Sequence, residues 1–235
     1  CLSIPASLIT YSRGALLGLA VMLPLLFLKS RAKLILLPIL VLGALVGPSL
    51  MPQKWTQRME TIETYQEDVS ANQRLNSWWV AYQVAKESPI FGGGFRTFSP
   101  EIYETYMPGY IYADRQHDAH SIFFQVLAEH GFPGLAVFVG LILSTFLSLR
   151  GLVRATRNQP DQQWINDCAR MLEVSFVTYV VSGTFLSMSY FDLFYHLVAI
   201  TVLLKVFAAH PAAEEAVAAT PATPMATARR HLARV

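Results

Sequence analysis

The chain has 235 residues, of which 53% are hydrophobic and only 14% are charged, and its mean hydropathy is +0.38. A soluble domain carries about 25% charged residues, so this composition excludes an ordinary soluble protein and predicts an integral membrane protein. The net charge of +2 says little, because the distribution of basic residues matters more than their sum. Two cysteines, Cys1 and Cys168, supply neither a zinc site nor a disulfide framework. We expect no nucleic-acid partner.

Apolar segments recur along the chain at lengths that approach the roughly 20 helical residues needed to cross a bilayer. Five are candidate spans: 15–28, 34–50, 131–149, 171–188 and 190–209. Residues 1–11 are apolar but too short to span, and we expect them to end a membrane helix that begins upstream in a larger protein. The predicted fold class is all-α, a polytopic transmembrane protein of about five spans with a long, partly helical loop.

Basic residues in short loops mark the cytoplasmic side of a membrane protein. Clusters at 29–33, at 150–170 and in the tail alternate correctly with the five spans. The loop at 51–118 then faces outward, and its nine acidic residues against six basic residues agree with this side. Arg13, at the start of its apolar segment, falls on the same outer side.

These signals divide the chain into four parts. Membrane helices occupy 1–50, the first of them truncated, and the long outer loop occupies 51–118. A short interfacial helix and three membrane helices occupy 119–209. The Ala/Pro/Thr-rich segment 210–235 is predicted to be a disordered cytoplasmic tail.

The outer loop is predicted to contain a helix. Ser70 to Gln73 form a capping-box pattern, and Ser88-Pro89 ends the helix that follows, so it should cover about 71–87. An apolar face at helical spacing suits a helix lying on the membrane surface; it contains Leu75, Trp78, Trp79, Tyr82 and Ala85. A second short helix is predicted at 119–130, broken at 131–134, where the third span begins.

Three side chains on the outer rim are the main candidates for chemistry. The imidazole of His120 can accept a proton near neutral pH, although a hydrogen-bonded structural histidine is the alternative. Arg13 and Arg74 stay charged at any relevant pH, and the planar guanidinium grips phosphate oxygens in pairs. Together they could hold a diphosphate at headgroup height; the alternative is simple snorkelling toward lipid phosphates.

Weaker candidates for anion binding lie in the same loop. Arg96 and Arg115 could serve as the two arginines do, and Gly93 and Gly94 could present backbone N–H groups to an anion. A glycine run directly after a helix is otherwise explained as a turn. The acidic residues of the loop lack metal-ligand spacing, and the chain has neither a P-loop nor a dinucleotide-binding fingerprint. We therefore expect no metal and no cofactor.

The order of these motifs resembles the C-terminal half of the O-antigen ligase family over residues 8–205. The matching motifs are Ser12-Arg13-Gly14, Arg74 with Trp78 and Ala81, the stretch 89–95, and Ala119-His120-Ser121 with Gln125, Glu129 and 131–134. The stretches 58–65 and 120–125 look closer still to the O-glycosylation ligase found with exosortase systems.

The resemblance implies a multi-pass enzyme of the bacterial inner membrane, with the long loop in the periplasm and the C-terminus in the cytoplasm. Such enzymes move a glycan from undecaprenyl diphosphate to an acceptor hydroxyl on a lipid or protein, without a metal or nucleotide sugar, in lipopolysaccharide or exopolysaccharide biosynthesis. By motif, His120 corresponds to the family's essential histidine. Arg13 and Arg74 correspond to its essential arginines, which stabilise the leaving diphosphate.

Three other functions stay open at this stage. A polysaccharide polymerase would use the same chemistry with a second lipid-linked glycan as acceptor. A polysaccharide or lipid transporter should show discontinuous helices and ionisable groups near the bilayer midplane, whereas most charges here lie at the outer rim. A non-catalytic scaffold would leave the candidate residues scattered. The family's usual dozen or so spans also exceed the five predicted here, so a missing N-terminal half is expected to supply part of the lipid-carrier groove.

Overall fold

The computed structural model describes residues 13–30, 32–46, 69–110 and 118–210. In these ranges every regular element is helical, which confirms the predicted all-α class. The helices are α1 (Arg13–Lys29), α2 (Lys33–Val46), α3 (Val69–Glu87), α4 (Pro100–Tyr106), α5 (Ile122–Ala155), α6 (Gln163–Gly183) and α7 (Asp192–Ala209), with 3₁₀ turns at Gly94–Arg96 and Pro160–Gln162. The predicted truncated helix at 1–11, the outer-loop segments 51–68 and 111–117, and the tail from 211 lie outside the described residues.

Two helices of the described part, α5 and α7, are long and apolar enough to cross a membrane. The apolar helices α1 and α2 are shorter, and α6 carries charged side chains in its first half, at Asp167, Arg170 and Glu173. The predicted count of about five spans therefore stays a prediction.

The apolar helices share one core, in which α5, α6 and α7 interlock through aromatic and aliphatic side chains. Its largest members are Phe138, Ile142, Leu149, Phe176, Tyr179, Phe194 and Leu197. Helix α1 packs mainly on α6, with Gly18 so close that an added Cβ would lie 2.4 Å from Ser182 Oγ. At the opposite end of α1, the buried carboxylate of Glu173 pairs with Lys29 and with Arg150. This ion group ties together α1, α5 and α6 on the side predicted to be cytoplasmic.

A second core forms where residues 69–110, here called the platform, pack on the beginning of α5. Its buried residues are Val80, Ala81, Val84, Phe98, Tyr103, Ala119 and Ala128. The described part of the predicted outer loop is therefore a packed helical unit.

Helix α3 matches the predicted helix within two residues, but its apolar residues do not share one face. Leu75, Trp79 and Tyr82 are exposed as an outward face would require, whereas Ala85 is fully buried and Trp78 packs inward. Small side chains explain which face turns in, since Ser77, Ala81 and Ala85 let neighbouring backbone approach closely. Contact of the outward face with the membrane surface stays a prediction.

The break predicted at 131–134, between the short helix and the third span, is confirmed at Gly131, whose φ of 67° and ψ of −169° interrupt α5. The break frees the carbonyl of Ala128 and the N–H of Phe132 from helical bonding. Platform residues that follow α3 form hydrogen bonds with both groups. The Gly93 N–H donates to Ala128 O at 2.8 Å, and the Phe132 N–H donates to Pro89 O at 2.9 Å. This contact fixes the platform to the start of α5.

Candidate active site around His120

His120 lies in the turn that leads into α5, and its backbone is strained. Its φ is 46°, and among the described residues that are not glycine it alone has a positive φ. For a residue with a Cβ this left-handed conformation costs roughly 1–2 kcal/mol. The residue is nevertheless exposed to solvent. Strain of this kind, kept by surrounding contacts, is concentrated at functional sites.

Two backbone groups of this turn form hydrogen bonds with side chains from distant parts of the chain. The Trp78 Nε1–H donates to the carbonyl of Ala119 at 2.7 Å, and the indole stacks on Phe124 with ring centroids 4.8 Å apart. The N–H of His120 donates to Ser187 Oγ at 2.9 Å. The histidine is thus positioned by the platform on one side and by the α6–α7 turn on the other.

The α6–α7 turn makes a second contact with the start of α5. Ser189 Oγ lies 3.0 Å from the carbonyl of Ile122, to which it donates, and 2.9 Å from Gln125 Oε1. Sequence reasoning did not identify Ser187 or Ser189 as part of the site. The available signal was a group of hydroxyl side chains between two apolar segments, at the end of a predicted span that faces outward.

Arg74 lies on α3 one helical turn before Trp78 and is half-buried. Residues four apart share one face of a helix, so the face that bonds to the His120 turn through Trp78 also carries Arg74. Arg13 is the first residue of α1, but its side chain is outside the described part, and so is Arg115. The predicted convergence of these arginines on His120 stays a prediction.

A polar cluster around the buried Glu129 lies about two helical turns after the start of α5. The Tyr190 hydroxyl donates to the buried carboxylate of Glu129 and lies 2.9 Å from His130 Nε2. Phe95 packs edge-on against both rings, at 5.5 Å from His130 and 5.9 Å from Tyr190. Burial, and then the Glu129 carboxylate, raise the pKa of the Tyr190 hydroxyl. Tyr190 therefore stays a hydrogen-bond donor, and His130 is part of this packed cluster.

The weaker anion-binding candidates have separate surroundings. The N–H of Gly93 donates a hydrogen bond to the carbonyl of Ala128, and the carbonyl of Gly94 accepts a hydrogen bond from Thr97 Oγ1 at 2.6 Å. These bonds give the glycine run a structural role at the break in α5. Arg96 lines a cavity of about 250 Å³ together with Glu101, Asp118 and Glu129. Three carboxyl groups beside one guanidinium oppose the predicted binding of a diphosphate by Arg96.

Comparison with known proteins identifies the family of the chain. A family model described as O-antigen ligase matches residues 2–139, more than half of the 235-residue chain. The matched region includes α1, α2, the platform, His120 and the break in α5. No curated protein shows a significant match. The chain therefore belongs to the O-antigen ligase family, whose members are membrane proteins that ligate or polymerise lipid-linked glycans.

Proposed function

We propose that the protein is a glycan ligase of the bacterial inner membrane that transfers a glycan from undecaprenyl diphosphate to an acceptor hydroxyl. His120 acts as the general base, and Arg13 and Arg74 hold the diphosphate. The observation that carries this proposal is an exposed, strained His120 whose turn is bonded to Trp78, one helical turn from Arg74.

The exposure and strain of His120 favour a chemical role over a purely structural one. A purely structural histidine gains stability by burying its ring in the protein. Here the surrounding bonds from Trp78 and to Ser187 hold the backbone, while the residue itself is accessible to an acceptor. Such preorganisation is what a general base requires, because the ring must meet the acceptor hydroxyl at hydrogen-bond distance.

The proposed reaction is a single displacement at the anomeric carbon. The acceptor oxygen forms the new bond to this carbon as its proton passes to the His120 imidazole. The bond from the anomeric carbon to the diphosphate oxygen breaks, and its electron pair leaves with the diphosphate. The positive charges of Arg13 and Arg74 stabilise that charge without a metal ion. The anomeric configuration is inverted.

The basic residues and the family support a topology for the proposed enzyme. The platform and His120 lie on the periplasmic side, and the Lys29–Glu173–Arg150 ion group and the C-terminus lie on the cytoplasmic side. The motifs shared with the ligase of exosortase systems favour a protein or lipid acceptor and a role in surface polysaccharide biosynthesis. A polymerase would differ only in using a second lipid-linked glycan as acceptor.

One transfer experiment tests the chemistry and the choice of acceptor together. The intact protein in lipid nanodiscs receives an undecaprenyl-diphosphate-linked glycan and either a protein or lipid acceptor or a second lipid-linked glycan. A ligase forms product only with the first kind of acceptor, and a polymerase only with the second. His120→Ala should lower the rate by about 10²–10⁴-fold. The matched control is His196→Ala, an exposed histidine on α7, and normal transfer by His120→Ala would exclude the general-base role.

A further inference from the structure

A cavity of about 250 Å³ lies between the platform and the beginning of α5. Its charged lining consists of Arg96, Glu101, Asp118 and Glu129, and Phe95 and Phe98 add aromatic surface. The residues come from three separate segments, the 3₁₀ turn with α4, the turn before His120, and α5 itself.

The charge of this lining decides which ligands are compatible with it. Among its described residues, one guanidinium faces three carboxyl groups, so the lining repels phosphates and other anions. A metal ion is no better suited, because nowhere in the described ranges do three or more His, Cys, Asp or Glu side chains come close enough together to hold one. The chemistry therefore favours a ligand without negative charge that donates hydrogen bonds to the carboxyl groups.

A sugar ring has the properties that this lining would recognise. Carboxylates accept strong, charge-assisted hydrogen bonds from hydroxyl groups, and a guanidinium donates to hydroxyl oxygens. Phe95 and Phe98 offer aromatic surface for the apolar C–H face of the ring. The volume is below the roughly 300 Å³ at which pockets for larger ligands begin, so it suits a single ring.

One lining residue of the cavity, Asp118, lies close in sequence to the proposed base. Asp118 precedes His120 by two residues, and two extended residues span at most about 7 Å. We propose that this cavity binds a neutral sugar ring carried by a glycolipid acceptor and presents one of its hydroxyls to His120. This inference rests on the proposed function for the reaction, but sugar binding itself can be measured without transfer.

The first test measures binding in the absence of the donor. Saturation-transfer NMR is recorded with the intact protein in nanodiscs and three methyl glycosides, of glucose, galactose and mannose. Asp118→Asn, at an exposed position, should weaken binding of the recognised glycoside about tenfold, the loss expected when a charge-assisted hydrogen bond is reduced to a neutral one. The matched control is Glu104→Gln. Glu104 is an acidic residue of α4 outside the cavity lining, so this variant should bind the glycoside as the wild type does.

The second test uses the transfer assay. Asp118→Asn should raise KM for the acceptor about tenfold, with KM for the lipid-linked donor unchanged. A rise in donor KM alone, or unchanged glycoside binding and unchanged acceptor KM, would overturn the inference. A third outcome separates the two proposals. If Asp118→Asn loses the glycoside binding of the wild type, but the wild type itself transfers no glycan, the proposed function fails while the cavity assignment stands.

Discussion

Replacement of Gly92 by alanine should detach the platform from the helix that carries His120. Gly92 has a φ of 65°, and a Cβ at this position would lie 2.6 Å from Ala128 O and 2.7 Å from Gly131 N. Both atoms belong to the backbone at the break in α5, so a side-chain rearrangement cannot relieve the contact. The two backbones must move apart.

The cost follows from the bonds that this movement breaks. The left-handed conformation costs an alanine roughly 1–2 kcal/mol. Alanine also lowers the conformational entropy of the unfolded chain, which offsets roughly 0.4–1 kcal/mol of this cost. Loss of the Gly93–Ala128 bond leaves the buried carbonyl of Ala128 with only a long bond of 3.4 Å from Thr97 Oγ1, at about 1–3 kcal/mol, and loss of the Phe132–Pro89 bond adds about 0.5–1.5 kcal/mol. Gly92→Ala should therefore destabilise the platform by roughly 2–6 kcal/mol.

Gly109→Ala is the matched control. Gly109 has a similar φ of 72°, but nothing lies within 4 Å of its ideal Cβ position. This variant pays only the backbone strain, a net cost of about 1 kcal/mol.

Urea unfolding of the purified protein in detergent, followed by tryptophan emission, compares the two variants. Trp78 stacks on Phe124 of α5, so its emission should shift to longer wavelength when the platform separates. Gly92→Ala should show this shift at a much lower urea concentration than Gly109→Ala. Equal midpoints for the two variants would refute the inference that close backbone approach at Gly92 holds the platform in place.

Three further predictions concern the strained histidine, its backbone partner and a buried tyrosine. His120→Gly should be about 1 kcal/mol more stable than His120→Ala in urea unfolding, because glycine adopts a φ of 46° without the steric cost of a Cβ. Both variants should lose glycan transfer to the same extent. Equal stabilities of the two variants would argue against strain at His120. Ser187→Ala removes the acceptor of the His120 N–H and should lower kcat about fivefold at unchanged donor KM, whereas a change in donor KM alone would contradict a positioning role. Burial raises the pKa of Tyr103 to about 12, above its unfolded value near 10, so its stabilising contribution is complete below pH 10 and is lost as the pH rises toward 12. Tyr103→Phe should abolish this alkaline loss in unfolding measured from pH 9 to 12, and identical pH profiles for the two proteins would refute it.

Local signals were sufficient to predict much of the secondary structure. The polar helix predicted at about 71–87 appears as Val69–Glu87, and its end before Ser88-Pro89 is a local effect of the proline. The break at Gly131 was also predictable, because its glycines and proline disfavour a continuous helix whatever packs against it. The long apolar run of α5 has the same local origin.

Contacts between distant residues were not predictable in this way. Trp78 and Ala119 are 41 residues apart, and His120 and Ser187 are 67 residues apart. Neither pair leaves a periodic pattern in the sequence. The inward position of Trp78 on α3 has the same origin, because an aromatic side chain fits either a membrane surface or a protein core, and only the partner decides between them.

The sequence by itself determined that this is a helical membrane protein, and its motifs indicated His120 and Arg74 as candidates for chemistry. Composition and motif spacing are properties of the chain alone, so they carry this information without a fold. Only the tertiary structure decided that His120 has a strained backbone held from two sides, and that Arg96 lies among carboxyl groups. The conformation of one residue and the charge around another depend on side chains contributed by separate segments, which come together only on folding.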